Sequence, residues 1–408
     1  MRVLMVSQYY KPEGAHVVTE LAESLAERGH DVTVLTAFPN YPEGRLFPGY
    51  RQSWRHVEHD GDVTVRRVPI VISHSANPIG RILNYLSFAL SSLTATGLAR
   101  RADVVYVYAT QMTAAAAPSI WSRFGGPAYV LHVQDLWPES ITASGMVPRG
   151  LVARVIERAL ARWLRWTYRN AAATIAIAPT MAAKLSARGV PSGREHVVLN
   201  WGRDVRAGRP ASRRPRGSGG TTVMYAGTLG DLQDLETAIR AAKAVSDLDG
   251  FRLSIVGGGL AEERLKALAR ELECDNVEFV GRIPADEMLD VYERSDFQLV
   301  PLKDVEIFRG TIPSKFQASL SLGLPVITTV AGDLTEIVDA NGVGFTALPE
   351  NPDALAEAFR AAHAATGDER AALADRARAY YESTMTRETT TRRIESILER
   401  CASKESRR

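Results

Sequence analysis

The sequence predicts an α/β protein made of two doubly wound domains, and three observations lead to this prediction. The chain has 408 residues, enough for two or three domains. Short apolar runs alternate with amphipathic stretches, the pattern of parallel sheets built from β-α-β units. This alternation stops once, at an Arg-, Pro- and Gly-rich segment, and then restarts. With 45% hydrophobic and 24% charged residues, the composition excludes fibrous architectures and long disorder.

The first 40 residues contain one complete β-α-β unit. Apolar runs at residues 3–6 and 32–35 flank an amphipathic stretch at residues 16–28, with a turn at Gly14 and a helix stop at Gly29. Further buried strands are expected at residues 104–108, 128–133 and 174–178. We therefore expect a Rossmann-like first domain at residues 1–200.

The same rhythm returns after a linker expected at residues 201–220. Strands are expected at residues 223–226, 253–256, 277–280, 297–301 and 325–328. They predict a second Rossmann-like domain at residues 221–380 and a C-terminal helix at residues 381–408 that can cross back to the first domain. Ligands of open α/β sheets bind at the carboxyl ends of the strands, so we expect the site in a central cleft that both domains face.

Charge and cysteine content exclude several classes of function. Lys and Arg total 49 against 47 acidic residues, a net charge of +2 that does not indicate nucleic-acid binding. The two cysteines, Cys274 and Cys401, are too few for a disulfide framework or a zinc site. The chain turns polar directly after residue 7, so we expect no secretory signal and a cytoplasmic protein. The uncharged stretch at residues 82–99 contains Asn84 and several hydroxyls, and we do not expect it to span a membrane.

The strongest local motif follows the strand expected at residues 297–301. Pro313 and Ser314 are typical of a helix start, with Ser314 as the candidate capping residue. The free amides of such a first turn bind anions, and Lys315, one of only seven lysines, adds a positive charge there. A solvent-facing lysine is the alternative interpretation.

Glycine-rich turns follow three earlier strands of the second domain. They are formed by Gly227, Thr228, Leu229 and Gly230, by Gly257, Gly258 and Gly259, and by Gly281, Arg282, Ile283 and Pro284. Each turn alone is an ordinary strand-to-helix connection, whereas several at consecutive strand ends favour a nucleotide diphosphate site. Their spacing matches neither an NAD fingerprint nor a P-loop. A D-x-D motif at residues 247–249 is interpreted as a surface turn, so no metal site is predicted.

Polar side chains follow the strand expected at residues 128–133 of the first domain. His132, Asp135 and Glu139 are expected at the edge of the cleft, where a histidine can polarise a hydroxyl and a carboxylate can orient an acceptor. A hydrogen-bonded core histidine is the alternative for His132. No G-x-S-x-G elbow is present to support a hydrolytic triad.

Taken in order, these motifs resemble the retaining GT-B glycosyltransferases of family 4. The resemblance rests on YYKPEGAHVVTELAESLAERGHDVTVLT near the start, LNW at 199, YAGTLG at 225, VGGG at 256, VGRIP at 280, and IPSKFQASLSLGLPVITT followed by AGDLTEIV. It covers nearly the whole chain. Within the family, QDLWPES and IPSKFQ look most like bacterial enzymes that transfer amino sugars in polysaccharide assembly.

The resemblance implies transfer of a sugar such as an N-acetylated hexose from a UDP-sugar to a glycan, lipid-linked or natural-product acceptor. It also implies retention of the anomeric configuration, no metal and no other cofactor. The implied donor-binding residues are Gly14, Gly227, Thr228, Gly257, Gly258, Arg282, Ile283, Ser314, Lys315, Gln317, Thr335 and Glu336. His132 would lie near the transferred sugar as a catalytic residue, and His16, Asp135 and Glu139 are the candidates for acceptor binding.

Two departures from the family pattern concern charge at the donor site. The family's pair of glutamates, which are separated by seven intervening residues, is replaced by Arg309 and Gln317, and whether Glu306 substitutes for the first stays open. The usual Arg and Lys after YAGTLG are also missing, because residues 231–234 read DLQD. We expect Lys315, together with Arg309, to supply the positive charge that stabilises the departing diphosphate.

A basic and aromatic helix is predicted at residues 151–169. Its residues include Arg154, Arg158, Arg162, Arg165 and Arg169 together with Trp163, Trp166 and Tyr168. This composition is typical of peripheral membrane contact, here at the inner face, and suits a lipid-linked acceptor, although a packed amphipathic helix explains it equally well. A nucleotide-sugar epimerase of the same fold and a non-catalytic solute-binding protein are the alternative functions.

Overall fold

The computed structural model describes residues 1–73, 78–137, 151–202, 220–284 and 286–405, without the side chains of 78–79, 151–156, 307 and 404–405. The chain divides into two compact units, the first made of Met1–Leu199 with Arg387–Arg408 and the second of Asn200–Thr386. Each unit contains a sheet of mainly parallel strands flanked by helices, which confirms the predicted fold class. Most of the expected linker, residues 203–219, lies outside the described residues.

The first unit is built on an eight-stranded sheet. Its strands are β1 Arg2–Val6, β2 Asp31–Ala37, β3 His56–Asp60, β4 Val63–Val68, β5 Val104–Ala109, β6 Tyr129–Val133, β7 Ala173–Ala176 and β8 Glu195–Val197. Their order is β3-β4-β2-β1-β5-β6-β7-β8, and all neighbours are parallel except β3 and β4. The strand order therefore reverses between β1 and β5. The sequence did not predict β3, β4 and β8, because charged residues interrupt their apolar pattern.

Helices cover both faces of this sheet. They are α1 His16–Glu27, α2 Pro78–Ser92, α3 Thr96–Ala99, α4 Ala116–Arg123, α5 Leu151–Asn170 and α6 Pro179–Ala187, with 3₁₀ turns at Leu93–Ala95 and Met112–Ala115. By length and composition alone, the helical segment Gly80–Ala99 is apolar enough to cross a membrane, and 39% of its apolar window is buried within the protein. Buried Asn84 donates to the carbonyl of Val71 and accepts from Gln8, so α2 is part of the packing of this unit.

The second unit is built on a six-stranded parallel sheet. Its strands are β9 Thr221–Ala226, β10 Phe251–Val256, β11 Val277–Gly281, β12 Phe297–Val300, β13 Val326–Thr328 and β14 Gly344–Thr346. The order β11-β10-β9-β12-β13-β14 is that of a dinucleotide-binding fold, with the reversal between β9 and β12. Val223, Leu253 and Phe297 lie in the buried core beneath its helices. The strands predicted for this unit are thus confirmed, and β14 is an addition.

Seven helices are described in the second unit. They are α7 Leu235–Ala244, α8 Glu262–Glu271, α9 Met288–Glu293, α10 Ser314–Ser321, α11 Asp333–Asn341, α12 Pro352–Ala364 and α13 Gly367–Thr384, with 3₁₀ turns at Asp231–Gln233 and Glu306–Gly310. Local signals explain two of the starts. The Asn351 side chain caps α12, and Thr366 with Glu369 forms a capping box at α13.

The last helix, α14 Arg387–Glu405, belongs to the first unit. Glu395 accepts from Arg28 and bonds to His30, at 2.7 Å each, and the Arg387 Nε donates to the hydroxyl of Ser24. The break between α13 and α14 lies at residues 385–386, inside the segment expected as one helix at 381–408. The first unit is therefore assembled from both ends of the chain.

Candidate functional site

A cavity of about 470 Å³ lies in the first unit at the carboxyl ends of β1, β5 and β6. It is lined by Tyr9, Glu13, Gly14, Ala15, His16, Val17, Tyr41, Arg81, Tyr85, Tyr108, Thr110, Gln111, Asp135 and Trp137. Its place corresponds to the reversal of strand order between β1 and β5, where the loops after the two strands diverge and leave a crevice.

Aromatic rings form much of the cavity wall. The rings of Tyr9 and Tyr41 lie 5.1 Å apart, and those of Tyr85 and Trp137 lie 6.2 Å apart. Burial raises the pKa of the Tyr9 and Tyr85 hydroxyls, so both phenols stay neutral and can donate hydrogen bonds. Apolar ring faces with polar tips suit a ligand such as a sugar, which has both apolar faces and hydroxyls.

The Glu13 carboxylate holds the loop that carries Gly14. It is buried and accepts the backbone N–H groups of Asn40 and Tyr41 at 2.8 Å each. Desolvation raises the pKa of Glu13, and these hydrogen bonds act in the opposite direction by favouring the carboxylate. The loop places Gly14 and the start of α1, at His16, on the cavity wall.

The structure corrects the expected position of His132. Its side chain is fully buried, its Nδ1 shares a hydrogen bond of 2.5 Å with the Tyr106 hydroxyl, and its ring lies 5.8 Å from that of Tyr108. Desolvation lowers the pKa of His132 to about 3, so the imidazole is neutral near pH 7. His132 therefore lies behind Tyr108, a wall residue, and not at an exposed edge.

Asp135 and Glu139 are the other two site residues predicted after strand β6. Asp135 lines the cavity together with His16, and although it is exposed, partial desolvation by the cavity walls raises the pKa of its carboxyl. Glu139 lies outside the described residues. The structure thus brings together Gly14, His16 and Asp135.

Three strand-end loops converge in the second unit. The backbone N–H of Gly227 donates to Val256, that of Gly257 to Gly281, and that of Leu229 to Gly258. A Cβ at position 257 would collide with the carbonyl oxygen of Gly227, and its φ of +136° also requires glycine. The predicted turns after β9, β10 and β11 therefore form one hydrogen-bonded surface at the carboxyl ends of the strands.

Lys315, in the first turn of α10, points at this surface. Its Nζ lies 4.2 Å from the centre of the Tyr225 ring, and a Cβ at Gly227 would lie 3.1 Å from the same atom. The Tyr225 hydroxyl donates to the carbonyl of Thr228 at 2.6 Å, which fixes the ring beneath the ammonium group. Desolvation lowers the pKa of Lys315 to about 8. A half-buried cation whose charge is costly without a partner favours an anionic ligand.

The remaining residues near this surface are placed as follows. The Arg282 Nε lies 2.7 Å from where a Cβ of Gly258 would be, so the guanidinium covers that glycine. Ile283 packs against a small apolar cluster formed by Met224, Val256, Tyr292 and Leu324. Gln317 is buried on α10. Pro313, not Ser314, occupies the N-cap position of α10, without a side-chain capping bond, and this corrects the expected capping role of Ser314.

Arg309, Thr335 and Glu336 form a separate group around the start of α11. The carbonyl of Arg309 lies against Gly332, and the Thr335 hydroxyl donates to the carbonyl of Val330 at 2.7 Å. The Arg309 guanidinium is exposed and makes a bidentate ion pair with Asp304 at 3.1 Å. Glu336 and Glu306 are exposed. The charge of Arg309 is therefore already balanced by Asp304, whereas the part of the chain that the structure describes contains no ion pair with Lys315.

Sequence reasoning missed most of the cavity wall in the first unit. Tyr9 and Tyr108 are aromatic residues at the ends of β1 and β5, a signal that the sequence contains. Arg81 and Tyr85 lie on α2, which is distant from those strands along the chain and carries no motif. They reach the cavity only because α2 packs across the carboxyl edge of the sheet.

Comparison with known families assigns both halves of the chain. Residues 14–201 match the model described as Glycosyl transferase 4-like domain, and residues 211–380 match the model described as Glycosyl transferases group 1. Among curated proteins, the chain is 28% identical over 388 residues to WcaI of Escherichia coli strain K12, which is named as a colanic acid biosynthesis glycosyl transferase. The alignment covers 89% of this chain and 92% of WcaI. WbjE of Pseudomonas aeruginosa, by name a glycosyltransferase, is 26% identical over 65% of this chain and 68% of its own length.

Solved structures share the fold. A glycosyltransferase from Rickettsia africae superimposes with a TM-score of 0.69 at 14% identity, over 98% of both chains. Anabaena HepE, solved in complex with UDP and glucose, superimposes with a TM-score of 0.63 at 17% identity, over 98% of this chain and 99% of HepE. Because the two family models follow one another along most of the chain and the fold is that of solved glycosyltransferases, the chain belongs to the GT-B glycosyltransferases of family 4.

Proposed function

We propose that the protein transfers a sugar from a UDP-sugar to an acceptor in polysaccharide biosynthesis, with the donor held by the second unit. The observation that carries this proposal is the position of Lys315, a half-buried cation beside three converging strand-end loops at the switch point of a dinucleotide-binding sheet. HepE, which has the same fold, was solved with UDP bound, and WcaI is named for colanic acid biosynthesis. The UDP bound to HepE supports a UDP-linked donor, and the name of WcaI supports a role in polysaccharide biosynthesis.

The donor diphosphate would lie between Lys315 and the loops of Gly227 and Gly257. Backbone amides at glycine loops and at a helix start stabilise phosphate oxygens, because they present N–H groups without steric hindrance. The ammonium of Lys315 attracts the diphosphate electrostatically, and this attraction grows as negative charge develops on the departing group. Arg282 and Ile283 would contact the base, and Gln317 the ribose. Thr335 and Glu336, on the first turn of α11, are proposed to complete the pocket.

The acceptor would bind in the aromatic cavity of the first unit. His16 and Asp135 lie on its wall, and the raised pKa of Asp135 makes its carboxyl a better proton acceptor than an ordinary aspartate. The aromatic walls suit a glycan acceptor, whose apolar faces stack on rings. We propose an N-acetylated hexose as the transferred sugar, on the resemblance carried by QDLWPES and IPSKFQ.

The reaction breaks the bond between the anomeric carbon and the diphosphate oxygen, and UDP leaves with the electron pair of that bond. The oxygen of an acceptor hydroxyl bonds to the same face of the anomeric carbon, so that the configuration is retained, and the proton of the hydroxyl passes to the carboxylate of Asp135. In this proposal no metal is required, since Lys315 and the loop amides balance the leaving charge. Arg309 has a smaller role than the departures from the family pattern implied, because Asp304 already neutralises it. His132 acts through Tyr108 by supporting the cavity wall.

Thermal unfolding of the purified protein with different nucleotides tests the donor. A ligand that binds the folded state raises the unfolding temperature, and we expect UDP and UDP-sugars to do so with EDTA present. Lys315→Ala should lose most of this shift, whereas Lys243→Ala, a lysine of the same unit on α7, should keep it. A shift with GDP or dTDP ligands alone would overturn the UDP donor, and dependence of the UDP shift on a divalent cation would overturn the metal-free proposal.

Retention is tested separately, by NMR of the product. A donor with an α-linked sugar should give an α-linked product, and a β-linked product would contradict the mechanism. Conversion of the donor without any acceptor would indicate an epimerase.

A further inference from the structure

Helix α2 has an unusual outer face. Every side chain that the structure describes as exposed between positions 81 and 92 is apolar: Ile82, Leu83, Leu86 and Leu90, with Leu90 at 67% exposure. At 100° per residue these four lie within one sector of about 100°. The opposite side, including Asn84 and Phe88, is buried. We refer to Ile82, Leu83, Leu86 and Leu90 as the α2 stripe. A surface helix normally turns polar residues outward, so the stripe requires a partner.

The stripe lies in a region of the chain that is almost free of negative charge. Between residues 63 and 134 the sequence contains six arginines and one acidic residue, Asp103, which is neutralised by Arg2 at 2.6 Å. Arg100 and Arg101, after α3, and Arg123, at the end of α4, are exposed. An apolar helix face in a chain segment whose exposed charged side chains are arginines is complementary to an anionic partner that also has an apolar interior.

The neighbouring helices α4 and α5 also expose apolar or basic side chains. Helix α4 packs against α2, and its Ile120 and the residue directly after it, Phe124, are exposed, the latter at 80%. Helix α5 packs against α4 in turn. Its exposed arginines lie at one-turn intervals and so share one face: Arg158, Arg162, Arg165 and Arg169. Apolar and basic surfaces thus follow one another along a single layer of three helices.

We propose that the α2 stripe docks on the surface of an anionic lipid bilayer, with α2 lying in the plane of the membrane. The stripe enters the acyl boundary, and the arginines of α3, α4 and α5 contact anionic headgroups. Helix α2 does not cross the bilayer, because its other face carries the buried hydrogen bonds of Asn84 to Gln8 and Val71.

Docking through α2 brings the acceptor cavity to the lipid surface. Arg81 and Tyr85 line that cavity, and they alternate along the same helix with Ile82 and Leu86 of the stripe. A headgroup-linked sugar held at the bilayer would therefore reach the cavity beside α2. The identification of a lipid-anchored acceptor rests on the proposed transferase function. The assignment of the α2 stripe as a membrane-docking surface is independent of that function.

Vesicle flotation of the full chain tests the proposal. Vesicles of phosphatidylcholine alone are compared with vesicles that also contain phosphatidylglycerol, and we expect salt-sensitive binding that is stronger to the second. The triple variant Leu83→Ser, Leu86→Ser, Leu90→Ser should bind at least about tenfold less tightly, because three inserted side chains lose their transfer free energy. The matched control is Val57→Ser, Val197→Ser, Leu348→Ser, which removes three exposed apolar side chains elsewhere and should bind like the wild type.

Three results would overturn the proposal. One is the absence of wild-type binding to either kind of vesicle, and a second is equal binding by the wild type and the triple variant. Light scattering in solution gives a third, since a wild-type dimer that the triple variant converts to monomers would assign the stripe to a second copy of the chain. A cooperative thermal unfolding transition of the triple variant without ligand shows that it is folded. The shift of this transition with UDP is measured separately, so failure of the docking surface is distinguishable from failure of the donor site.

Discussion

At the scale of single residues, Lys315 differs from the other cation considered for the donor site. Arg309 is exposed and paired with Asp304, whereas Lys315 is half-buried over the Tyr225 ring beside Gly227. Desolvation by burial lowers the pKa of Lys315 from 10.5 to about 8. The folded protein therefore releases this proton at lower pH than the unfolded chain, so the group's contribution to stability rises between pH 8 and pH 10.5 and is unfavourable below pH 8.

The first prediction follows from this pKa. A bound diphosphate stabilises the ammonium form, so UDP should bind about tenfold more weakly at pH 9 than at pH 7, as the free enzyme loses the charge above pH 8. Calorimetric titration of the wild type and of Lys315→Met at both pH values measures the effect. The variant should lack this extra pH dependence, and without ligand it should unfold at a higher temperature than the wild type at pH 7. A UDP affinity with the same pH profile in both proteins would contradict the assignment.

At the scale of elements, the proposed donor surface, formed by the loops after β9, β10 and β11, depends on close backbone contact between these loops. Gly257 N–H donates to the carbonyl of Gly281, and its Cα lies so close to the carbonyl of Gly227 that no side chain fits between them. A positive φ of +136° adds a second reason for glycine. The loop after β10 is thus positioned by its two neighbours and not by its own sequence alone.

The second prediction concerns this loop. Gly257→Ala should destabilise the protein by about 1–3 kcal/mol or more and weaken UDP binding at least tenfold, because the new methyl group displaces one loop from the other. Gly97→Ala is the control, since a Cβ there has no neighbour within 4 Å and α3 tolerates alanine. Thermal unfolding and UDP titration are measured for both. Normal UDP affinity in Gly257→Ala would show that the loop contact is not needed for binding.

At the scale of the whole molecule, the two ends of the chain meet in the first unit. Ile394 and Leu398 of α14 are fully buried, and Glu395 bonds to Arg28 and His30, although some 365 residues separate them along the chain. The second unit is therefore inserted between two parts of the first. A substitution that disrupts the packing of α14 should therefore destabilise the first unit.

The third prediction tests this connection. Leu398→Ala should lower the free energy of unfolding of the first unit by about 2–5 kcal/mol through the cavity it leaves. Tryptophan fluorescence during urea unfolding reports mainly on this unit, because five of the six tryptophans precede residue 199. Leu90→Ala, the same substitution at an exposed position of the same unit, should change stability by no more than about 0.5 kcal/mol. Equal curves for Leu398→Ala and the wild type would place α14 outside the cooperative unit.

Local sequence predicted most of the architecture. Hydrophobic periodicity and glycine stops located strands β1, β2, β5 to β7 and β9 to β13, because a buried parallel strand is a short apolar run whatever its partners are. The same information failed for β3 and β4, whose arginines and histidines are accommodated by particular neighbours, such as Glu58 beside Arg67. The glycine turns of the proposed donor surface were also predictable, since only glycine allows backbone to approach so closely.

Tertiary structure alone decided where the side chains of the site lie. His132 and Asp135 are three residues apart, yet one is buried behind Tyr108 and the other lines the cavity. Arg81 and Tyr85 reach that cavity from α2, and the charge of Arg309 is taken up by Asp304. Periodicity and turn residues act over a few neighbouring positions, so a sequence reveals them directly. Burial, ion pairing and pKa depend on residues that are distant along the chain, and these are determined only when the sheets and helices pack.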